Sequence, residues 1–153
     1  MSKSQQHRQS QRAGVIGEQL AERVMFGLGI RLVEQIATPT KFIRGKMVHV
    51  GKVSGDRRGV LPPNGLSVHA EVKTYKTENL AYSALKSHQR DWLTRHAQAG
   101  GLSLLIWVST FDIYVMEWGI DGIPGYMKPR SSITPELARS LNIDSLRNKA
   151  YGR

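Results

Sequence analysis

The chain has no cysteine among its 153 residues. It therefore has no disulfide framework, no thiolate zinc site and no thiol nucleophile. No run approaches the roughly 18 apolar residues that a membrane span needs. The opening MSKSQQHRQSQRAG lacks the apolar core of a signal peptide. No segment reads as a basic amphipathic helix with an aromatic apolar face, so a membrane surface is not an expected partner. A cytoplasmic protein is the simplest expectation. The five histidines are scattered, and none forms the HExxH spacing of a zinc hydrolase. GxGxxG and GxxxxGK[ST] are both absent, so no nucleotide cofactor is expected. Ser103 and Ser109 lack the context of a nucleophile elbow. Aromatic residues are few, and Trp107 and Trp118 sit in strand patterns that mark core.

What the chain has is positive charge. Lys plus Arg number 22 against 12 for Asp plus Glu, a net charge of +10 and a pI near 10.2. A small basic domain usually meets a polyanion, because Lys and Arg release counterions from phosphates. The plainer alternative is charge that serves solubility alone.

Residues 1–13 are Gln-rich, with Lys3, Arg8 and Arg12 and no acid. That composition predicts a mobile basic arm, followed by one domain over residues 14–153. From Gly14 a helix is expected, with Ile16, Leu20, Val24 and Leu28 on its apolar face. IRLVEQI and KMVHVGKV read as strands. PPNG at 62–65 is turn chemistry between two further strands. In SVHAEVKTY, Val68, Ala70 and Val72 face one side; His69, Glu71, Lys73 and Tyr75 face the other. Residues 83–99 read as a helix with Leu85, Trp92, Leu93 and Ala97 inward, ended by Gly100 and Gly101. LSLLIWV is a strand covered on both faces, IYVMEW is another, and TPEL starts a short helix with Thr134 as N-cap. The order predicts an α/β (α+β) domain: one central mixed sheet flanked by helices.

Charge inside the strand at 66–75 is costly unless paired or used. Glu71 and Lys73 lie two apart and share a face, which suits an ion pair on a solvated surface as well as a site. A hairpin centred on Pro63-Asn64 pairs residues whose numbers sum to 127, which sets Asp56 across from Glu71. Opposed carboxylates repel unless a cation sits between them; a bulge at Gly65 would shift this register, and Gly55 or Gly59 is a place for a compensating one. Paired carboxylates suit Mg²⁺, a hard ion that takes oxygen ligands, with the Val72 carbonyl as a further donor. Such an ion would acidify an attacking water and neutralise a leaving 3′ oxygen, and Lys73 would orient that water or stabilise the phosphorane. Gln89 falls on the inner helix face, as a satisfied core amide, a metal-water ligand or a strand clamp. His88, one residue round, faces solvent or DNA. Glu18 opens the first helix, where a carboxylate suits the dipole as well as a site.

GDRRGV, the turn, AEVK, LKSHQRDWL, AGG, LLIWV and FDIYVMEW together resemble the PD-(D/E)XK nuclease superfamily, and within it the RecU Holliday junction resolvases of bacteria and their phages. TPTKFI and the Gly and Glu at the start of the first helix extend the likeness, which runs from about residue 14 to residue 120. The resemblance implies metal-binding carboxylates at Asp56 and Glu71, a catalytic lysine at Lys73 and the family glutamine at Gln89. It also implies a homodimer that nicks two opposed strands of four-way DNA junctions with Mg²⁺ or Mn²⁺, in the bacterial nucleoid or the cytoplasm of a phage-infected host. Two features depart from the family: Thr40–Ser54 is short for the stalk that enters the junction centre, and Ser54 or Gly55 replaces a Thr near the catalytic Asp. The expectation is a metal-dependent junction-resolving endonuclease, with DNA contacts at Arg8, Arg12, Arg57, Arg58, Lys76 and His88. One alternative is another nuclease of this superfamily, acting in repair, restriction or phage DNA processing. The other is a basic DNA-binding module without activity.

Overall fold

A computed structural model describes residues 2–37, 40–49 and 56–151. Its elements are α1 (Lys3–Gly27), β1 (Arg31–Gln35), β2 (Thr40–Ile43), β3 (Lys46–His49), β4 (Arg57–Leu61), β5 (Leu66–Thr74), β6 (Leu80–Ala81), α2 (Ser87–Gln98), β7 (Leu102–Val108), β8 (Ile113–Trp118), β9 (Ser132–Ile133), α3 (Pro135–Ser140) and α4 (Arg147–Tyr151). A five-stranded sheet runs in the order β1-β4-β5-β7-β8, with β5 and β7 parallel and the other neighbours antiparallel. This is the expected central mixed sheet flanked by helices. Among the described residues, no helix is long and apolar enough to cross a membrane.

The period-two alternation of β5 divides the core. Val68, Ala70 and Val72 pack with Leu104 and Ile106 of β7 against Ala21 and Met25 of α1. On the other face, Leu105 and Trp107 join Leu93 of α2, Met116 and Trp118. β7 is buried along its whole length, as its unbroken apolar run predicts. Thr134 caps α3, with Pro135 in its first turn.

Four details differ from expectation. The first helix starts at Lys3, not Gly14. Ser2 accepts from the Gln5 N–H at 3.3 Å, and the Gln5 side chain accepts from the Ser2 N–H at 2.9 Å, a reciprocal cap. Its buried face is Gly17, Ala21 and Met25, one residue round from the predicted stripe, and Ile16 is exposed. Small residues win because the helix crosses β5 so closely that a Cβ at Gly17 would run into Thr74. The second helix begins at Ser87; Leu85 precedes it and is still buried, while Trp92 is exposed on its rim. Finally, β2 joins β3 in an exposed hairpin, turned by Arg44 and Gly45, both at positive φ.

The hairpin of β4 and β5 keeps the predicted register: Arg57↔Ala70 through Leu61↔Leu66, with no shift at Gly65 or Gly59. Its loop is the four residues 62–65 rather than two. The bulge considered at Gly55 lies outside the described residues, as does all of the short segment after His49, Ser54 included.

Candidate active site

Glu71 and Lys73 project from β5 toward α2, as the alternation requires. Glu71 is 1% exposed and Lys73 19%; the ammonium lies 2.9 Å from Glu71 Oε1. Gln89 joins both. Its Nε2 donates to the same Glu71 oxygen, and its Oε1 accepts from Lys73 Nζ at 3.2 Å. Gln89 occupies the third position of α2, from which its Oε1 also reaches back to the Lys86 N–H at 2.9 Å. That return bond satisfies an orphan donor of the helix start and fixes the amide that holds the carboxylate and the ammonium. Of the readings open for Gln89, the geometry is that of a clamp between strand and helix.

Asp56 sits differently from expectation. The ladder ends at Arg57↔Ala70, and the Asp56 N–H also donates to the Ala70 carbonyl at 2.9 Å. The carboxylate then turns to the edge of β5 and accepts the Val72 N–H at 2.8 Å. An Asp side chain competes with the backbone for nearby donors, and here it replaces the ladder carbonyl. Asp56 therefore does not stand on the sheet face opposite Glu71. It meets β5 at Val72, between the positions of Glu71 and Lys73.

Glu18 approaches from the α1 side. With Val72, Thr74 and Lys76 it lines a cleft of about 430 Å³, walled by Gln9, Ser10, Ala13 and Gly14 of α1. Its carboxylate is held by Arg57 Nη2 at 3.3 Å and Gln35 Nε2 at 3.5 Å. Arg57, expected at phosphate, is instead buried beneath α1, with Glu22 as a second acidic neighbour at 3.6 Å. Ala70, its ladder partner, faces α1, and the alternation sends Arg57 the same way. Arg58 points outward and pairs with Glu34 at 2.6 Å. Arg8, Arg12 and Lys76 are exposed, and His88 is half-buried.

Two histidines that sequence reasoning left aside anchor α2 on β5. Trp92 Nε1 donates to His69 Nδ1 at 3.1 Å, and the rings of His69 and His96 stand 4.4 Å apart. Burial, then His96, then Arg58 lower the pKa of His69 to about 4, and burial also lowers that of His96. Their signal in the sequence is spacing: His69 precedes Glu71 on the same strand face, and His96 lies one turn beyond Trp92.

Among the described residues, no three of His, Asp and Glu gather as a cation cage. The donors on offer are the Asp56 and Glu71 carboxylates and the Val72 carbonyl. Within a strand the N–H and C=O of one residue point the same way, so that carbonyl shares the edge with Asp56. Hard oxygens, few in number, fit Mg²⁺, which usually takes one or two carboxylates with water and substrate phosphate.

No family model matches the chain, and neither does any curated protein. Solved structures do match. Hjc of Archaeoglobus fulgidus, described as a Holliday junction resolvase from an archaeal hyperthermophile, aligns with a TM-score of 0.56 at 15% sequence identity. The alignment covers 85% of this chain and 96% of that one. At that identity the likeness is one of fold: the mixed sheet with α1 and α2 on opposite faces is the fold of Hjc.

Proposed function

We propose that the chain is a metal-dependent DNA endonuclease that resolves four-way junctions by paired, symmetric nicks, one from each protomer of a homodimer. The observation that carries this is the Glu71–Lys73 pair clamped by Gln89 on β5, with the Asp56 carboxylate bound to the N–H of Val72, the residue between them. The RecU-like sequence motifs and the Hjc fold point to the same activity. The net charge of +10 supplies the attraction to DNA. A two-fold symmetric protein matches a junction whose cut strands are related by a two-fold axis. In this reading the protein acts in recombination and repair in a bacterial or phage setting.

Asp56, Glu71 and the Val72 carbonyl would hold Mg²⁺, with Mn²⁺ as a substitute. Bound there, the ion supplies an acidified water and charge for the leaving oxygen. Lys73 places a fixed positive charge beside the reacting phosphate, where it stabilises the extra negative charge of the transition state. Gln89 keeps the ammonium from swinging into solvent. Glu18 bounds the cleft on the α1 side. Arg58, Lys76, His88, Arg8 and Arg12 are proposed DNA contacts.

The test is a nicking assay on a synthetic junction, with linear duplex and flap controls. Asp56→Asn and Glu71→Gln should abolish cutting and keep junction binding. The Asn oxygen can still accept the Val72 N–H, so the strand edge survives. Lys73→Ala should lower cutting by about two to three orders of magnitude, the scale of removing one preorganised charge-stabilising donor, while Mn²⁺ still binds. Full nicking by any of these folded variants would remove that residue from the mechanism.

A further inference from the structure

Arg57 is 5% exposed, and charged side chains are rarely so buried unless paired. Its partners come from both sides of the candidate site. Nη1 donates to the Asp56 carbonyl at 3.2 Å and Nη2 to Glu18 at 3.3 Å. Nε lies 3.6 Å from Glu22 but has no hydrogen-bond acceptor. The Asp56 carbonyl also accepts the Ile36 N–H at 3.2 Å, so the guanidinium takes its remaining lone pair.

Stability alone does not account for an arginine here. Replacing a buried ion pair with apolar side chains of similar volume is often neutral or stabilising. An unsatisfied buried donor adds further cost. What the guanidinium does is join Asp56 to Glu18 across the gap between sheet and helix. Glu18 and Glu22 lie four apart on α1, where like charges repel. Their side chains are 33% and 40% exposed. Without the cation Glu18 keeps only the long bond from Gln35, at 3.5 Å, to hold it from solvent, and the Asp56 carbonyl loses a bond.

We propose that Arg57 is a positioning residue for the metal ligands: it sets the backbone of Asp56 and holds Glu18 at the cleft, without touching DNA. The inference rests on the nuclease reading above. It assigns Arg57 and Glu22 a part in metal affinity.

The experiment compares wild type, Arg57→Met, Arg57→Lys and Asp56→Asn by thermal melting, metal-free junction binding, Mn²⁺ calorimetry and Mg²⁺ titration of cutting. Arg57→Met should keep metal-free junction affinity. Its Mn²⁺ Kd and half-maximal Mg²⁺ should both rise by about 10- to 100-fold, the usual effect of losing a group that orients a ligand. Arg57→Lys should recover part of this, since an ammonium can pair with one glutamate but lacks the fork that reaches the carbonyl as well. A folded Arg57→Met with wild-type metal affinity overturns the inference, even if it melts lower. Weakened metal-free junction binding overturns it too, by making Arg57 a phosphate contact. Should Arg57→Met fail to fold, Glu22→Gln carries the test: a smaller rise in Mn²⁺ Kd supports positioning, and no rise overturns it. Wild-type protein that binds no Mn²⁺ and cuts no junction overturns the nuclease reading itself, a result separable from all of these.

Discussion

Trp92 donates its indole N–H to Nδ1 of His69, and an indole nitrogen can only donate. Nδ1 must therefore accept, which keeps His69 neutral. Ser103 donates to the Leu93 carbonyl at 2.8 Å, so it accepts from Nδ1 of His96 at 2.8 Å, leaving Nε2 to accept from Ser67 at 3.0 Å. Both rings fit these bonds uncharged. The consequence for stability has a definite sign. The folded pKa of His69 is about 4 against 6.5 for the free side chain. Between those values the unfolded chain binds a proton that the folded chain does not, so stability is full above 6.5 and is lost as pH falls through 4. The melting temperature should decline across that window. His69→Asn, whose side-chain oxygen can take the indole N–H, should flatten the decline; an equally steep fall in that variant would assign it to other groups. Glu71, Lys73 and Gln89 are legible from sequence because strand and helix periods place them. Asp56 and Arg57 are less so. The turn of a carboxylate to a strand N–H is a local competition that no period encodes, and the direction of Arg57 depends on which sheet face α1 covers.

At the scale of elements, α1 shows what periodicity misses. Residues 3–12 have no apolar face, yet they are helical, because Ser2 and Gln5 close a reciprocal cap and the turns that follow are continuous with the packed half. The signal, Ser-x-x-Gln, is present in SKSQ, but it precedes no hydrophobic run. β3 lies within a strand expected from sequence, but β2 and the hairpin it forms are hidden for a related reason: residues 40–48 are all exposed, and Arg-Gly is a weak turn signature beside Asn-Gly. By contrast β5, β7 and β8 are legible almost to the residue, since burial on both faces enforces their pattern. Gly17 marks the contact that seats α1 on β5. Helix propensity alone would make Gly17→Ala stabilising by roughly 1 kcal/mol. Because the new methyl meets Thr74, the variant should instead lose stability, on the order of 1–3 kcal/mol as in other overpacked sites. Adding Thr74→Ala should restore most of it in denaturant melts. Additive losses in the pair would mean that the two residues do not touch.

For the whole molecule, charge sets the reach of binding. Ser2 to Arg12 are all exposed, so deleting residues 2–12 leaves the core untouched. If Arg8 and Arg12 lie on DNA, the deletion should weaken junction binding and flatten its salt dependence, by about 0.9 in log–log slope for each phosphate no longer neutralised. An unchanged slope would take this half of α1 out of the interface. The Asp56–Val72 bond bears on assembly as well. An open strand edge is where one sheet recruits another, and among the described residues β5 has no strand partner beyond Ala70 on its β4 side. There the next donor, the Val72 N–H, is already taken by a group that can accept but has no N–H to return. The mutual exchange that adds a strand cannot start at that point. A homodimer of the kind proposed would therefore join through some surface other than this strand edge.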